Sequence, residues 1–129
     1  MTEAQLIKKG KLKVVQTYMG LFDFTVLTVF GDYKEVCKFV SWKFDEKSED
    51  WKELDSESIF KGRCFFKKGY VPIIWVHHKP KTAEEYATLA HESIHAVFKL
   101  FQWVGIRINE KTEELMTHAT AHIVYNSLK

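Results

Sequence analysis

The chain has 129 residues, a net charge of +2 and six histidines, and 46% of its residues are hydrophobic. That length fits one domain, residues 1–129, with enough apolar material for a real core. The near-neutral charge gives no sign of nucleic-acid binding, no apolar run approaches a membrane span, and the start, Met1 to Leu6, has no apolar leader core.

In chain order, residues 2–10 read as a polar lead-in or short helix stopped at Gly10, and Lys13 to Tyr18 as a first strand. Phe22 to Phe30 alternates Phe24, Val26, Thr28 and Phe30 with Thr25, Leu27 and Val29, which predicts a second strand. Gly31-Asp32 is a turn signal, and Tyr33 to Phe44 resumes an alternation. Val36, Val40 and Trp42 fall on one side, and Tyr33, Cys37, Phe39 and Ser41 on the other. The expectation is a hairpin of these two runs. Asp45 to Ser58 is acidic, seven of fourteen residues being Asp or Glu, and reads as a surface loop or short exposed helix. Ile59 to Lys67 and Tyr70 to His78 read as a second strand pair around Lys68-Gly69. Pro72 cannot donate to a ladder, which places the 71–76 strand at an edge. An edge there could hold an extended peptide or protein substrate by strand addition. Cys37 and Cys64 are expected to be reduced core thiols of a cytoplasmic protein.

After Pro80, Thr82-x-x-Glu85 is a capping box that opens a helix over about 82–103. Tyr86, Ala90, Ile94, Val97, Phe98 and Phe101 form an apolar arc, with His91 and His95 at its margin, and Gly105 closes the helix. Asn109 or Thr112 then caps a last helix over about 111–128, with Leu115, Met116, Ala119 and Ile123 inward and Glu114, His118, Ala121 and Tyr125 on an adjacent stripe. These elements make an α+β fold: a small antiparallel sheet of about four to five strands within residues 11–78, followed by two packed helices.

The first of those helices carries His91-Glu92-Ser93-Ile94-His95, an H-E-x-x-H motif. Residues four apart share a helix face, so His91 and His95 can reach one metal ion, while Glu92 points about 100° away. Two neutral nitrogens and one carboxylate base are the parts of zinc-dependent hydrolysis, which needs a third ligand as well. Glu114, nineteen residues beyond His95, is the favoured third ligand, with Glu113 and then His118 as fallbacks. His118 could instead orient the Glu114 carboxylate or stabilise an oxyanion, a part Tyr125 could also play. His118 and His122 are themselves spaced i, i+4, and His77 and His78 precede the motif helix.

With H-E-x-x-H followed by a distant Glu on a second helix, the chain resembles the gluzincin metallopeptidases of minimal size. The run Pro80 to Tyr86, then Leu89 to Ala96, and Gly105-Ile106 with Glu113-Glu114-Leu115, is similar to small metallopeptidase-like proteins of tailed bacteriophages. The resemblance covers about residues 59–129, and His118 departs from it by standing where those proteins tend to have an aromatic residue. It implies Zn2+ held by His91, His95 and Glu114, Glu92 as general base, a peptide substrate, and a host-cytoplasmic location. Two other classes compete: a non-catalytic binding module stabilised by zinc, and an SprT-like peptidase acting on proteins bound to nucleic acid.

Overall fold

The computed structural model describes residues 1–46 and 61–129. The acidic run expected to be an exposed loop or helix lies outside the described residues from residue 47 onward. The chain opens with α1 (Glu3–Gly10), in which Thr2 and Gln5 form a reciprocal capping box, and Lys11 ends the helix in a left-handed conformation. Strands β1 (Lys13–Met19) and β2 (Phe24–Phe30) follow, then α2 (Tyr33–Lys43), β3 (Gly62–Phe65), β4 (Ile73–Val76), α3 (Ala83–Val104) and α4 (Glu113–Leu128). The four strands form one sheet in the order β1-β2-β4-β3. β1 pairs antiparallel with β2, and β3 with β4, but β2 and β4 run parallel, so the sheet is mixed rather than antiparallel throughout. The α+β architecture, the four strands among the described residues and both C-terminal helices agree with the sequence prediction.

Two expectations fail for physical reasons. The hairpin partner of β2 is a helix. In α2, Tyr33, Val36, Cys37 and Val40 are buried at three- and four-residue steps, followed by Phe44 just beyond its end. A two-residue alternation splits these residues between two faces, and only the helical period places all of them on one. That face covers the sheet, because α2 packs with Leu27, Val29, Ile73 and Trp75. The second correction concerns the 71–76 strand. β4 pairs with β2 on one side (Leu27 opposite Ile73, Phe30 opposite Val76) and with β3 on the other (Gly62 opposite Val76, Phe65 opposite Ile73). It is an interior strand, and addition of a peptide to it is excluded. Pro72 sits just before the ladder, where no donor is required, and its carbonyl accepts from Leu27 N at 3.1 Å. All four residues of β4 are buried, as expected for a strand covered on both faces.

The sheet is the middle of three layers. One face, carrying Leu27, Val29, Ile73 and Trp75, meets α1 and α2. The other, carrying Val26 and Ile74, meets Leu89, Ala96, Val97 and Leu100 of α3 and Ala119 and Ile123 of α4. β4 leads into α3 within seven residues, so the helix bearing the motif is set against the interior strand. Cys37 and Cys64 form no disulfide. No described helix is long and apolar enough to cross a membrane.

α4 is tied to the sheet by a buried polar contact. Thr28 Oγ1 and Ser127 Oγ lie 2.6 Å apart, and Ser127 Oγ also reaches Ile123 O at 2.7 Å. Ser127→Ala leaves the buried Thr28 hydroxyl without that partner, at an expected cost of about 1–3 kcal/mol. Chemical denaturation checks this, and an unchanged midpoint would show that the contact does not anchor α4.

Candidate metal centre

α3 begins where the sequence places it. Thr82 Oγ1 accepts from Glu85 N at 3.2 Å, and Glu85 Oε1 accepts from Thr82 N and Lys81 N, both at 3.0 Å. Those backbone donors, Lys81 first, hold the Glu85 carboxyl below its ordinary range, and His78 beside it adds to this. Gly105, at φ 77°, closes the helix.

The buried arc of α3 differs from the expected one. Leu89, Glu92, Ser93, Ala96, Val97, Leu100 and Phe101 face inward, while Tyr86, Ile94 and Phe98 are 45%, 37% and 39% exposed. The helix is apolar on most of its circumference, so the pattern admits two arcs. The sheet takes the one with the small residues Ser93 and Ala96, which allow close approach. Ser93 joins the core because its hydroxyl donates to Leu89 O at 2.8 Å.

This rotation sets the two histidines outward and Glu92 inward. His91 and His95 are exposed, with their Nε2 atoms 3.2 Å apart and rings nearly perpendicular at 82°. Two nitrogens each about 2.0–2.1 Å from one zinc at a tetrahedral angle stand about 3.3–3.4 Å apart. The pair is therefore already set close to the spacing of two ligands on one ion. Glu92 is only 8% exposed, and the donor atoms of His91, Glu92 and His95 all lie within 4.8 Å of one another. Burial raises the Glu92 pKa, and the nearby His91, His95 and Arg63 pull it partly back. Cys64 lies near Glu92, and burial first, then the Glu92 charge, push its thiol well above the ordinary range. A protonated thiol is a poor zinc ligand. Beside His91 and Glu92 is an open depression of about 450 Å³ bounded by Lys61, Gly62, Glu84, Ala87 and Thr88.

The other expected site residues lie elsewhere. Glu114 has a side chain 83% exposed and pairs with His118 Nε2 at 3.0 Å; it is not among the residues gathered around His91. Glu113 is also exposed, in the first turn of α4. His118 and Tyr125 line a different hollow, with Met19, Leu21, Phe22 and His122, between α4 and the β1–β2 turn. His122 Nε2 is 3.1 Å from Tyr18 O. His77 packs edge-on against Trp75, and His78 pairs with Glu85. The structure thus brings His91, Glu92 and His95 together and does not bring Glu114, His118 or Tyr125 to them. The stripe on α4 is real as a helix face but is turned to the β1–β2 turn and solvent. Gly62, against Glu92, passes unnoticed in the sequence; an isolated glycine inside a strand pattern is its one signal.

Compared with protein-family models, with curated proteins and with solved structures, the chain matches none.

Two outcomes follow for the purified protein. If this group holds zinc, His91→Ala and His95→Ala should each abolish stoichiometric zinc, whereas Glu114→Ala should leave it; elemental analysis decides, and zinc retained in both histidine variants would refute the centre. The second concerns stability without metal. A carboxyl whose folded pKa is raised costs nothing below its unfolded pKa, and destabilises progressively as pH rises through the raised value. Glu92→Gln should therefore raise the melting temperature of the metal-free protein at neutral pH and lose that advantage below about pH 4. Thermal melts across pH check this, and an equal effect at every pH would exclude a titrating Glu92 as its source.

Proposed function

We propose that the protein is a zinc-dependent peptidase in which His91 and His95 supply two of the metal's ligands and Glu92 is the general base, with no third protein ligand gathered beside them among the described residues. The observation that carries this reading is the pairing of opposites on one helical turn: two exposed imidazoles 3.2 Å apart, beside Glu92, a residue only 8% exposed. The donor set suits zinc, since imidazole nitrogen is a common ligand and a nearby carboxylate is the usual base.

Zinc, when bound, acts as a Lewis acid and brings the pKa of its water to about 7. The chain's own residues do the rest. Glu92 accepts the proton of the attacking water and returns it to the leaving amine. Its raised pKa favours the first transfer, because a more basic carboxylate takes the water's proton more readily. His91 and His95 face solvent, which leaves their outer side open to a substrate. The depression bounded by Lys61, Gly62, Glu84, Ala87 and Thr88 adjoins both His91 and Glu92, and is the route by which a peptide carbonyl would reach them. Strand addition along residues 71–76 plays no part.

The test separates metal binding from proton transfer. In the zinc-loaded protein, assayed against a mixed fluorogenic peptide library, Glu92→Gln should retain zinc and lower turnover by about 10²–10⁴-fold. No turnover by the zinc-loaded parent protein, or equal turnover by parent and variant, would overturn the proposal.

A further inference from the structure

We infer that Gly62 is a positioning residue for Glu92: the missing side chain on β3 lets α3 seat close enough for the carboxyl to sit beside the histidine pair. This rests on the role proposed for Glu92. Gly62 is buried at the start of β3, opposite Val76 of β4. A Cβ placed there would stand 2.7 Å from Thr88 Cγ2, 3.1 Å from Trp75 O and 3.2 Å from Glu92 Cγ. The first of these is closer than carbon atoms tolerate, and none of the three neighbours can easily give way. Trp75 O belongs to the backbone of the interior strand. Thr88 is a β-branched residue whose hydroxyl donates to Glu84 O at 3.0 Å, and that bond fixes where its methyl group points. Glu92 is the residue in question. Relief must come from α3 moving off β3, which carries Glu92 with it.

The cost of the arrangement supports the assignment. Glycine inside a strand is less stable than alanine by about 0.5–1 kcal/mol. Ordinary packing would favour a small side chain there, and what occupies the place instead is the Thr88 methyl and the Glu92 stem. Neither His91 nor His95 supplies one of the three atoms nearest the Gly62 Cβ position, whereas Glu92 does. Gly62 therefore bears first on the base.

The experiment uses the zinc-loaded full chain and two probes. Acetohydroxamic acid gives up its hydroxyl proton as it chelates zinc, and Glu92 is the carboxylate placed to accept it. Azide binds already ionised and needs no base. Glu92→Gln sets the scale of a lost base. Gly62→Ala should leave zinc content and azide affinity unchanged, while weakening acetohydroxamate binding and lowering kcat by about tenfold or more at constant KM. Adding Thr88→Ser to Gly62→Ala removes the clashing methyl and keeps the hydroxyl, so the double variant should recover most of both. If Gly62→Ala does not fold, Thr88→Ile enlarges the same contact from the helix side and should give the same selective loss. Loss of zinc or azide binding in parallel with the hydroxamate, or no rescue by Thr88→Ser, would reduce Gly62 to a packing residue and overturn the inference. If Glu92→Gln itself leaves hydroxamate binding untouched, the proposed base falls first and the role of Gly62 with it.

Discussion

The structure depends on β4 being covered on both faces and paired on both edges. Ile73 and Trp75 look toward α1 and α2, Ile74 looks toward α3 and α4, and β2 and β3 flank it. A strand so enclosed cannot shift its register, because a one-residue slip would exchange Trp75 for Ile74 in two differently shaped cores. α3 follows almost at once in the chain, so the strand transmits its fixed position to the helix. The Thr82 and Glu85 capping box then fixes the helix start, and with it the rotation of every later residue. His91, Glu92 and His95, nine to thirteen residues beyond Thr82, thus have their directions set by the strand and the helix start.

That rotation separates two jobs that share a helical turn. Residues four apart point together and adjacent residues point about 100° apart, so a helix lying on a sheet can offer imidazoles to solvent while one carboxyl goes to the boundary with β3. The two environments then act in opposite directions. The exposed histidines stand open to solvent with their Nε2 atoms against each other. The carboxyl loses water and becomes more basic, and the neighbouring histidines moderate the effect. Neither property is visible in the side chains alone, since both come from how far the helix is turned and how closely β3 approaches.

Much of this was legible in the sequence, for identifiable reasons. Thr82, Glu85 and Gly105 are signals whose mechanism is local, and α3 runs between them as expected. The same holds for β2, where β-branched alternation over Phe24 to Phe30 requires no distant partner. What failed depended on tertiary context. Tyr33 to Phe44 fits either period, and the need to cover the second face of the sheet decided for a helix. Pro72 suggested an edge because its position relative to the ladder is invisible without the ladder. Stripe and spacing on α4 favour Glu114 as a ligand, and in the structure, with Ala119, Ile123 and Ser127 packed inward, Glu114 pairs with His118. The arc on α3 was misplaced because hydrophobicity ranked Tyr86, Ile94 and Phe98 above Ser93 and Ala96. Close approach to a sheet favours the small residues instead.

The distribution of local costs argues that the motif is more than a surface accident. Two solvent-facing histidines impose no burden on a fold, and any polar pair would serve there. Glu92 is different: it takes a carboxyl out of water at a place where the neighbouring Leu89 and Ala96 are fully buried apolar residues. Gly62 adds a second local cost, a strand position left without a side chain where alanine would be more stable but for the Glu92 and Thr88 contacts. Both costs fall within one turn of the histidine pair, and each makes sense only with the other, since the glycine creates the space that the carboxyl fills. Consistent sequences break local rules mainly where function requires it. Here the broken rules converge on the oxygen atoms that would handle a proton.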